Sequence, residues 1–336
     1  MKKSIVIVTN YMDSHTDNLV QTLNSLGGSP IRLNTNDIPL NTSISISHNT
    51  TNWNGKIEIK SSNRHIDLLD VRSIWWRRPD KFVFSPDLSQ EERDFATGEI
   101  GHAMGGIWGT IDCYWVSHPE HIRLASFKLE QLRRAAKMGF DIPRTLVTNN
   151  PEEARNFYFA CDRKIIYKTL FSSSLGTTVN TKLHADQTEV NLKAVYTTFV
   201  TEANLHFLDT IAEVACQFQE YIPKAYELRV TVIGNEIFAA EIHSQADKQT
   251  STDWRHYNVA IPYRKANLPT EIAQRCITFV KSYQLNFSAI DLIVTPDGRY
   301  VFIENNPNGQ FIFIEQRVPE LKMTAALAAQ LMRGSN

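Results

Sequence analysis

The chain has 336 residues, enough for two or three domains and a sizeable buried core. Its 35 Lys and Arg are set against 36 Asp and Glu, a net charge of −1. That balance argues against bulk binding to nucleic acid or to an anionic membrane surface.

The expected elements begin in α/β order. The apolar run Ile5 to Val8 in "MKKSIVIVTN" is too short for a signal-peptide core and reads as a first strand. Residues 16–26 form an amphipathic helix ended by Gly27 and Gly28. "SPIRLNT" is the next strand, 43–48 and 55–60 alternate like exposed strands, and "SIWWRRP" (73–79) is another. Helices are expected at about 88–104 and 121–138, then a strand "RTLVT", a helix at 150–159 and a strand "RKIIYKTL". The polar loop "FSSSLGTT" (171–178) follows. From 213 the pattern turns to strands, interrupted by a helix at 270–284 and closed by one at 319–333. Boundaries are expected near 118 and 205, dividing the chain into 1–117, 118–205 and 206–336. No stretch approaches membrane-spanning length. Cys113, Cys161, Cys216 and Cys276 show no metal-binding spacing and read as free thiols of a reducing cytosol. The expected location is therefore cytoplasmic, with no membrane or nucleic-acid partner.

"SAIDLIVTPDGRYVFIENN" reads as two strands joined by the turn Pro296-Asp297-Gly298. Such a hairpin sets Asp291 near Glu304, with Asn306 two residues beyond. Three hard oxygen donors on one face suit Mg²⁺, which takes phosphate oxygens and water at its remaining positions. Singly, Asp291 and Asn306 read as strand-end caps. Upstream, Lys128 lies in "ASFKLEQLRRA" and Lys168 ends the strand before the Ser/Gly loop. Two lysines and a loop of small residues, including Ser173, Ser174 and Gly176, suit phosphates. Lys128 also reads as a solvated helix residue. "FQEYIPKAYELRV" joins a strand to a hairpin through Pro223, and the backbone of Gln219, Glu220, Tyr221 and Ile222 could meet an adenine edge. Glu227 could accept from ribose hydroxyls, or be a surface acid of the hairpin.

Taken in order, these residues over 118–310 resemble the ATP-grasp superfamily. The resemblance implies an α/β and α+β protein with an N-terminal pre-ATP-grasp domain, and a nucleotide held between central and C-terminal subdomains. It implies ATP and Mg²⁺ as cofactors. Lys128 and Lys168 would then hold phosphates, Gln219 to Ile222 adenine, Glu227 ribose, and Asp291, Glu304 and Asn306 the metal. Some carboxylate–amine ligases of the superfamily carry Arg two residues before the first metal Asp, where this chain has Ala289. Arg229 and Arg255 are the candidates to replace that charge. Arg229 shares a strand face with Glu227. Arg255 could fork onto a carboxylate or phosphate, or be an exposed loop arginine.

A narrower resemblance spans most of the chain. "SIWWRRP", residues 117–155, "ELRVTVIGNEIFAAEIHSQ", "DWRHY" and "ENNPNGQFIFIE" are similar to the microviridin-type ATP-grasp peptide maturases, the graspetide synthetases. It implies an ATP-dependent ligase acting on a ribosomal precursor peptide with leader and core. Asp or Glu side chains would be activated as acyl phosphates and joined to Thr or Ser hydroxyls or Lys amines. A homodimer follows by family analogy. The region 179–212 is the expected leader-docking surface. Two alternatives are a ligase adding a free amino acid to a carboxylate and a non-catalytic peptide-binding module. The pair His118 and His121 reads as a helix start rather than a metal cluster, because Pro119 interrupts a helical face. Arg77 and Arg78 are expected to line an interdomain cleft.

Overall fold

The computed structural model describes residues 3–171, 174–175, 193–256 and 258–334, with the backbone alone at 174–175 and 193–194. The N-terminal third runs β1 (Ser4–Thr9), α1 (Ser14–Ser25), β2 (Pro30–Asn34), β3 (Thr42–His48), β4 (Trp53–Ile59), β5 (Arg64–Asp67), β6 (Val71–Trp76), α2 (Gln90–Thr110) and β7 (Tyr114–Val116). Its main sheet is parallel, in the order β2-β1-β6-β7, and β3-β4-β5 form a separate antiparallel sheet. The continuous apolar run of β1 is buried along its whole length, as a parallel strand covered on both faces should be. Ser89 and Glu92 cap α2 reciprocally.

The middle of the chain holds α3 (Pro119–Ala125), α4 (Lys128–Lys137), β8 (Thr145–Thr148), α5 (Pro151–Ala160), β9 (Ile165–Lys168), the short pair β10 (Ser174–Leu175) and β11 (Lys193–Ala194), β12 (Thr198–Val200), a 3-10 segment Glu202–Glu213 and β13 (Cys216–Glu220). An antiparallel sheet β12-β9-β13-β8 closes over its own apolar cluster, which contains Tyr158, Ile165, Ile211 and Phe218. The helix expected over 121–138 is two helices. Ser126 Oγ donates back to the carbonyl of Arg123 at 2.8 Å, and Phe127 takes an extended backbone. The extended Phe127 separates the two helices, and Lys128 opens the second.

The last third holds β14 (Tyr226–Ile233), β15 (Glu236–Ile242), β16 (Tyr263–Lys265), α6 (Thr270–Ser282), β17 (Phe287–Val294), β18 (Tyr300–Asn306), α7 (Ile312–Arg317) and α8 (Met323–Arg333). The five strands order as β16-β15-β14-β17-β18, all antiparallel. Alternation in β14 sends Leu228, Val230 and Val232 into a core with Phe279 and Leu132. Glu227 and Arg229 face the other way. The helix expected over 319–333 begins at Met323, and α7 precedes it. The closing helix α8 packs against α1 and β6 at the other end of the sequence. Ser73 Oγ donates to Leu331 O at 2.8 Å, and one cluster joins Ile5, Leu19, Phe287 and Leu327.

Among the described residues no helix is long and apolar enough to cross a membrane. The four cysteines are free, three of them buried.

Candidate active site

The hairpin β17–β18 turns at Pro296-Asp297-Gly298, where Gly298 has a positive φ of 84° and Gly298 N donates to Thr295 O at 2.9 Å. From the turn the ladder runs regularly as far as Leu292 opposite Phe302, then shifts by one residue, so that Asp291 lies opposite Glu304. This bulge matters chemically. A regular ladder would place Glu304 opposite Ile290, on the core side. With the extra residue, both carboxylates face the same way. Asn306 follows two residues on, its Nδ2 donating to Asp291 Oδ2 at 3.1 Å and Glu304 Oε1 at 3.4 Å.

Cations surround this acidic pair. Lys128 Nζ, at the head of α4, lies 3.2 Å from Glu304 Oε2 and donates to Thr169 O at 2.8 Å. Arg229 is the cross-strand neighbour of Asp291, with Nε 3.2 Å from Oδ1. Its guanidinium sits 5.4 Å from the Trp254 ring. Burial pushes the Asp291 carboxyl up to about 7; Arg229 opposes the rise and Glu304 adds to it. Burial also acts against the Glu304 charge, but Lys128 and Lys168 outweigh it and hold that carboxyl below the usual carboxylate range. Burial lowers the Lys168 ammonium from its ordinary value, with Glu304 pulling the other way.

The donors present fit Mg²⁺. Two carboxylates and an amide share one face, and packing the carboxylates together is costly until a divalent cation joins them. A half-turn of the Asn306 amide would present its oxygen in place of nitrogen. Among the described residues no group of three His, Cys, Asp or Glu could hold a metal, consistent with a centre whose third donor is an amide.

These groups line one cavity of about 510 Å³. Gln219, Glu220, Tyr221 and Ile222 line it too, so the structure brings the hinge, lysine and acid residues together. Gln219 Nε2 donates to Thr145 Oγ1 at 3.0 Å, and Glu220 Oε1 accepts from Arg144 N at 2.8 Å. Those two side chains fasten the hinge, whose Glu220 and Tyr221 amides donate to Arg144 O at 3.0 Å and Lys164 O at 2.8 Å. Glu227 is buried between Lys224 Nζ, at 2.5 Å, and Ser244 Oγ. Arg255 is forked onto Asp253 at 2.5 Å. Burial acts against the Asp253 charge, but Arg255 and the amide of Thr197 bring its carboxyl down to about 2. Ser173 and Gly176 lie outside the described residues, and of Ser174 only the backbone pairing with Ala194 is described.

Other residues of the site carry no motif. Gln131 donates to Asn305 O at 2.8 Å and accepts from Asn305 N at 2.9 Å, so α4 clasps the strand end beside Asn306. Lys224 and Ser244 engage Glu227, and no spacing marks them. Arg78 lines the cavity as expected, but Arg77 does not: it is fully buried, its guanidinium turned onto the carbonyls of Asn308 and Gly309. His118 caps α3 through Nδ1 and Pro119 opens it. A Cβ on Gly309 would lie 2.5 Å from the Ala289 Cβ. The loop after β18 is thus pressed onto the strand, and an arginine at 289 would have no room.

Residues 4–123 match the MvdD pre-ATP grasp domain, and residues 125–331 match the RimK-like ATP-grasp domain. The chain belongs to the RimK-like ATP-grasp family and has the ATP-grasp fold with an N-terminal pre-ATP-grasp domain. It is an ATP-dependent ligase, and ATP-grasp ligases use ATP and Mg²⁺. A solved structure of a Chryseobacterium gregarium RiPP-associated ATP-grasp ligase, in complex with ADP and a leader and core peptide, is 30% identical. It covers 98% of this chain and 96% of its own, with a TM-score of 0.86. The macrocyclase MdnC from Microcystis aeruginosa MRC, bound with precursor peptide MdnA, is 28% identical over 97% of this chain and 98% of its own, with a TM-score of 0.83. The macrocyclase MdnB from the same source is 28% identical over 98% and 99%, with a TM-score of 0.79. A comparison with the curated proteins finds no match.

Proposed function

We propose that this ligase is a peptide macrocyclase. It joins Asp or Glu side chains of a ribosomal precursor to Thr or Ser hydroxyls or Lys amines within the same peptide. The observation that carries the reading is the end-to-end likeness to peptide-bound RiPP ligases, combined with Lys128, Lys168, Asp291, Glu304 and Asn306 lining one cavity.

A carboxylate does not condense with a hydroxyl unaided. Its oxygen attacks the γ-phosphorus of ATP, ADP leaves, and an acyl phosphate results. The hydroxyl or amine then attacks the acyl carbon and phosphate departs. Lys128 and Lys168 hold phosphate oxygens and offset the repulsion between two anions. Ser173, Ser174 and Gly176 cover the phosphates. Gln219 to Ile222 hold adenine, and Glu227 takes ribose after yielding one of its two present partners. Asp291, Glu304 and Asn306 hold Mg²⁺, which when bound supplies Lewis-acid stabilisation of the phosphoryl oxygens. Arg229 and Arg255 neutralise the acyl phosphate. Asp291, Trp254 and Asp253 hold their guanidinium planes in place beforehand. Both reacting groups belong to one peptide, which raises their effective concentration.

The leader docks on 179–212, of which 193–212 are described. That stretch is tied to the site: Thr197 N donates to Asp253 Oδ2 at 2.9 Å, and Tyr196 stacks on His256 at 4.1 Å. The functional units are 1–117, 118–205 and 206–336. The enzyme works in the cytoplasm as a homodimer.

Coexpression with a short precursor rich in Thr, Ser, Lys, Asp and Glu tests the reading by mass spectrometry. The expected product is lighter by one water per ring, with ADP and phosphate released. A product heavier by one amino acid would establish the free-amino-acid ligase instead. An unmodified peptide with no ATP consumed would leave a peptide-binding module.

A further inference from the structure

We propose that Arg77 is a positioning residue for the metal-facing loop, acting through the carbonyl groups of Asn308 and Gly309. The inference rests on the reading of Asn306 as a metal ligand. Arg77 directly follows β6 of the N-terminal sheet and has no exposed surface. Its Nη1 donates to Asn308 O at 2.6 Å and to Gly309 O at 3.3 Å. Asp13 Oδ2 lies 3.5 Å from Nε, and the guanidinium lies 5.5 Å from the Trp75 ring. Asp13 is in turn held by Thr9 Oγ1 at 2.9 Å and Thr16 Oγ1 at 2.8 Å.

Burying a guanidinium is expensive, and an apolar side chain could cover Trp75 without that penalty. What only arginine supplies here is a rigid donor aimed at two successive carbonyls. Those carbonyls belong to the turn that starts at Asn306, where Gly309 N donates to Asn306 O at 2.9 Å. The turn is gripped from the other side by Ala289, against which Gly309 fits only because it has no Cβ. His15 holds the next residues, its ring meeting Phe311 edge-on at 5.1 Å. The backbone that aims the Asn306 side chain is therefore fixed between β17 and the N-terminal sheet. In this arrangement the N-terminal sheet sets the third metal donor without touching it.

Calorimetric titration of the purified full-length protein with ATP, first in EDTA and then in Mg²⁺, tests the proposal. Arg77→Lys keeps a charge beside Asp13 but loses the planar guanidinium whose Nη1 meets both carbonyls. Metal-free ATP binding should stay within about twofold of wild type. The tightening produced by Mg²⁺ should fall about tenfold or more, the scale of outer-shell changes at metal sites. The Mg²⁺ concentration for half-maximal turnover should rise by the same factor. Gly309→Ala leaves the buried ion pair intact and displaces the loop from its other side. It should give the same metal-specific loss, and it decides the matter should Arg77→Lys not fold. Wild-type Mg²⁺ dependence in a folded variant, or equal loss of metal-free and metal-bound affinity, would overturn the proposal. A wild-type protein that tightens on Mg-ATP yet never modifies peptide would sink the macrocyclase reading and leave this one standing.

Discussion

At the scale of single residues, the acidic pair and its cations form one unit. Glu304→Gln or Asp291→Asn should leave the fold intact, because neither side chain belongs to an apolar cluster. Turnover should fall roughly 10²-fold or more if each supports phosphoryl-charge stabilisation. Steady-state kinetics at saturating Mg²⁺ measures this, and wild-type rates in both would remove these residues from the site. The buried His15 gives a pH signature elsewhere. Burial, then the charge of Arg77, lowers its pKa from 6.5 to about 4; Asp13 opposes and Arg78 adds a little. The folded chain thus keeps His15 neutral where the unfolded chain protonates it. Its contribution to stability is fully present above pH 6.5 and is lost as pH falls from there towards about 4. Thermal melts of His15→Leu should show a flatter decline across that window than wild type, and an identical decline would place the proton uptake on another group.

At the scale of elements, the hairpin shows what a sequence can and cannot disclose. The turn residues 296–298 and the acids 13 positions apart were enough to expect Asp291 near Glu304. The bulge that turns both to one face was not legible, since nothing distinguishes the extra residue in a run such as Val-Phe-Ile-Glu. Likewise Lys128 was legible as a helix residue but not as the first of a new helix, because the extended backbone of Phe127 that separates the two has no marker in the sequence. Arg77 was expected to line a cleft but is fully buried, because the carbonyls it donates to lie more than 200 residues away in sequence, and no local pattern points to them. The helix α2 carries a different lesson. A Cβ at Gly98, Gly101, Gly105, Gly106 or Gly109 would meet nothing within 4 Å, so packing within the described chain does not require these glycines. Gly105→Ala should therefore stabilise the protein by about 0.5–1 kcal/mol through backbone entropy alone, seen as a higher Tm. A lower Tm would show that another surface comes within reach of this face.

At the scale of the whole molecule, the first and last segments are one body. The closing helix α8 lies on α1 and β6, and a single apolar cluster runs from Ile5 through Phe287 to Leu331. The central sheet differs, since among the described residues its core draws on 154–218 alone. Across the cavity it is met by polar contacts such as Lys128 to Thr169 and Thr197 to Asp253. Polar contacts at a wet cleft exchange readily with water, whereas separating an apolar core does not. The molecule is thus built like a vice with one fixed jaw. Asp291, Glu304, Asn306, Arg229, Arg255 and the loop under Arg77 sit on the side of the shared apolar core, and β8, β9, β12 and β13 form the side joined across the cavity by polar contacts. Opening the cleft would therefore break polar contacts alone, whereas displacing the acidic pair would mean parting an apolar core.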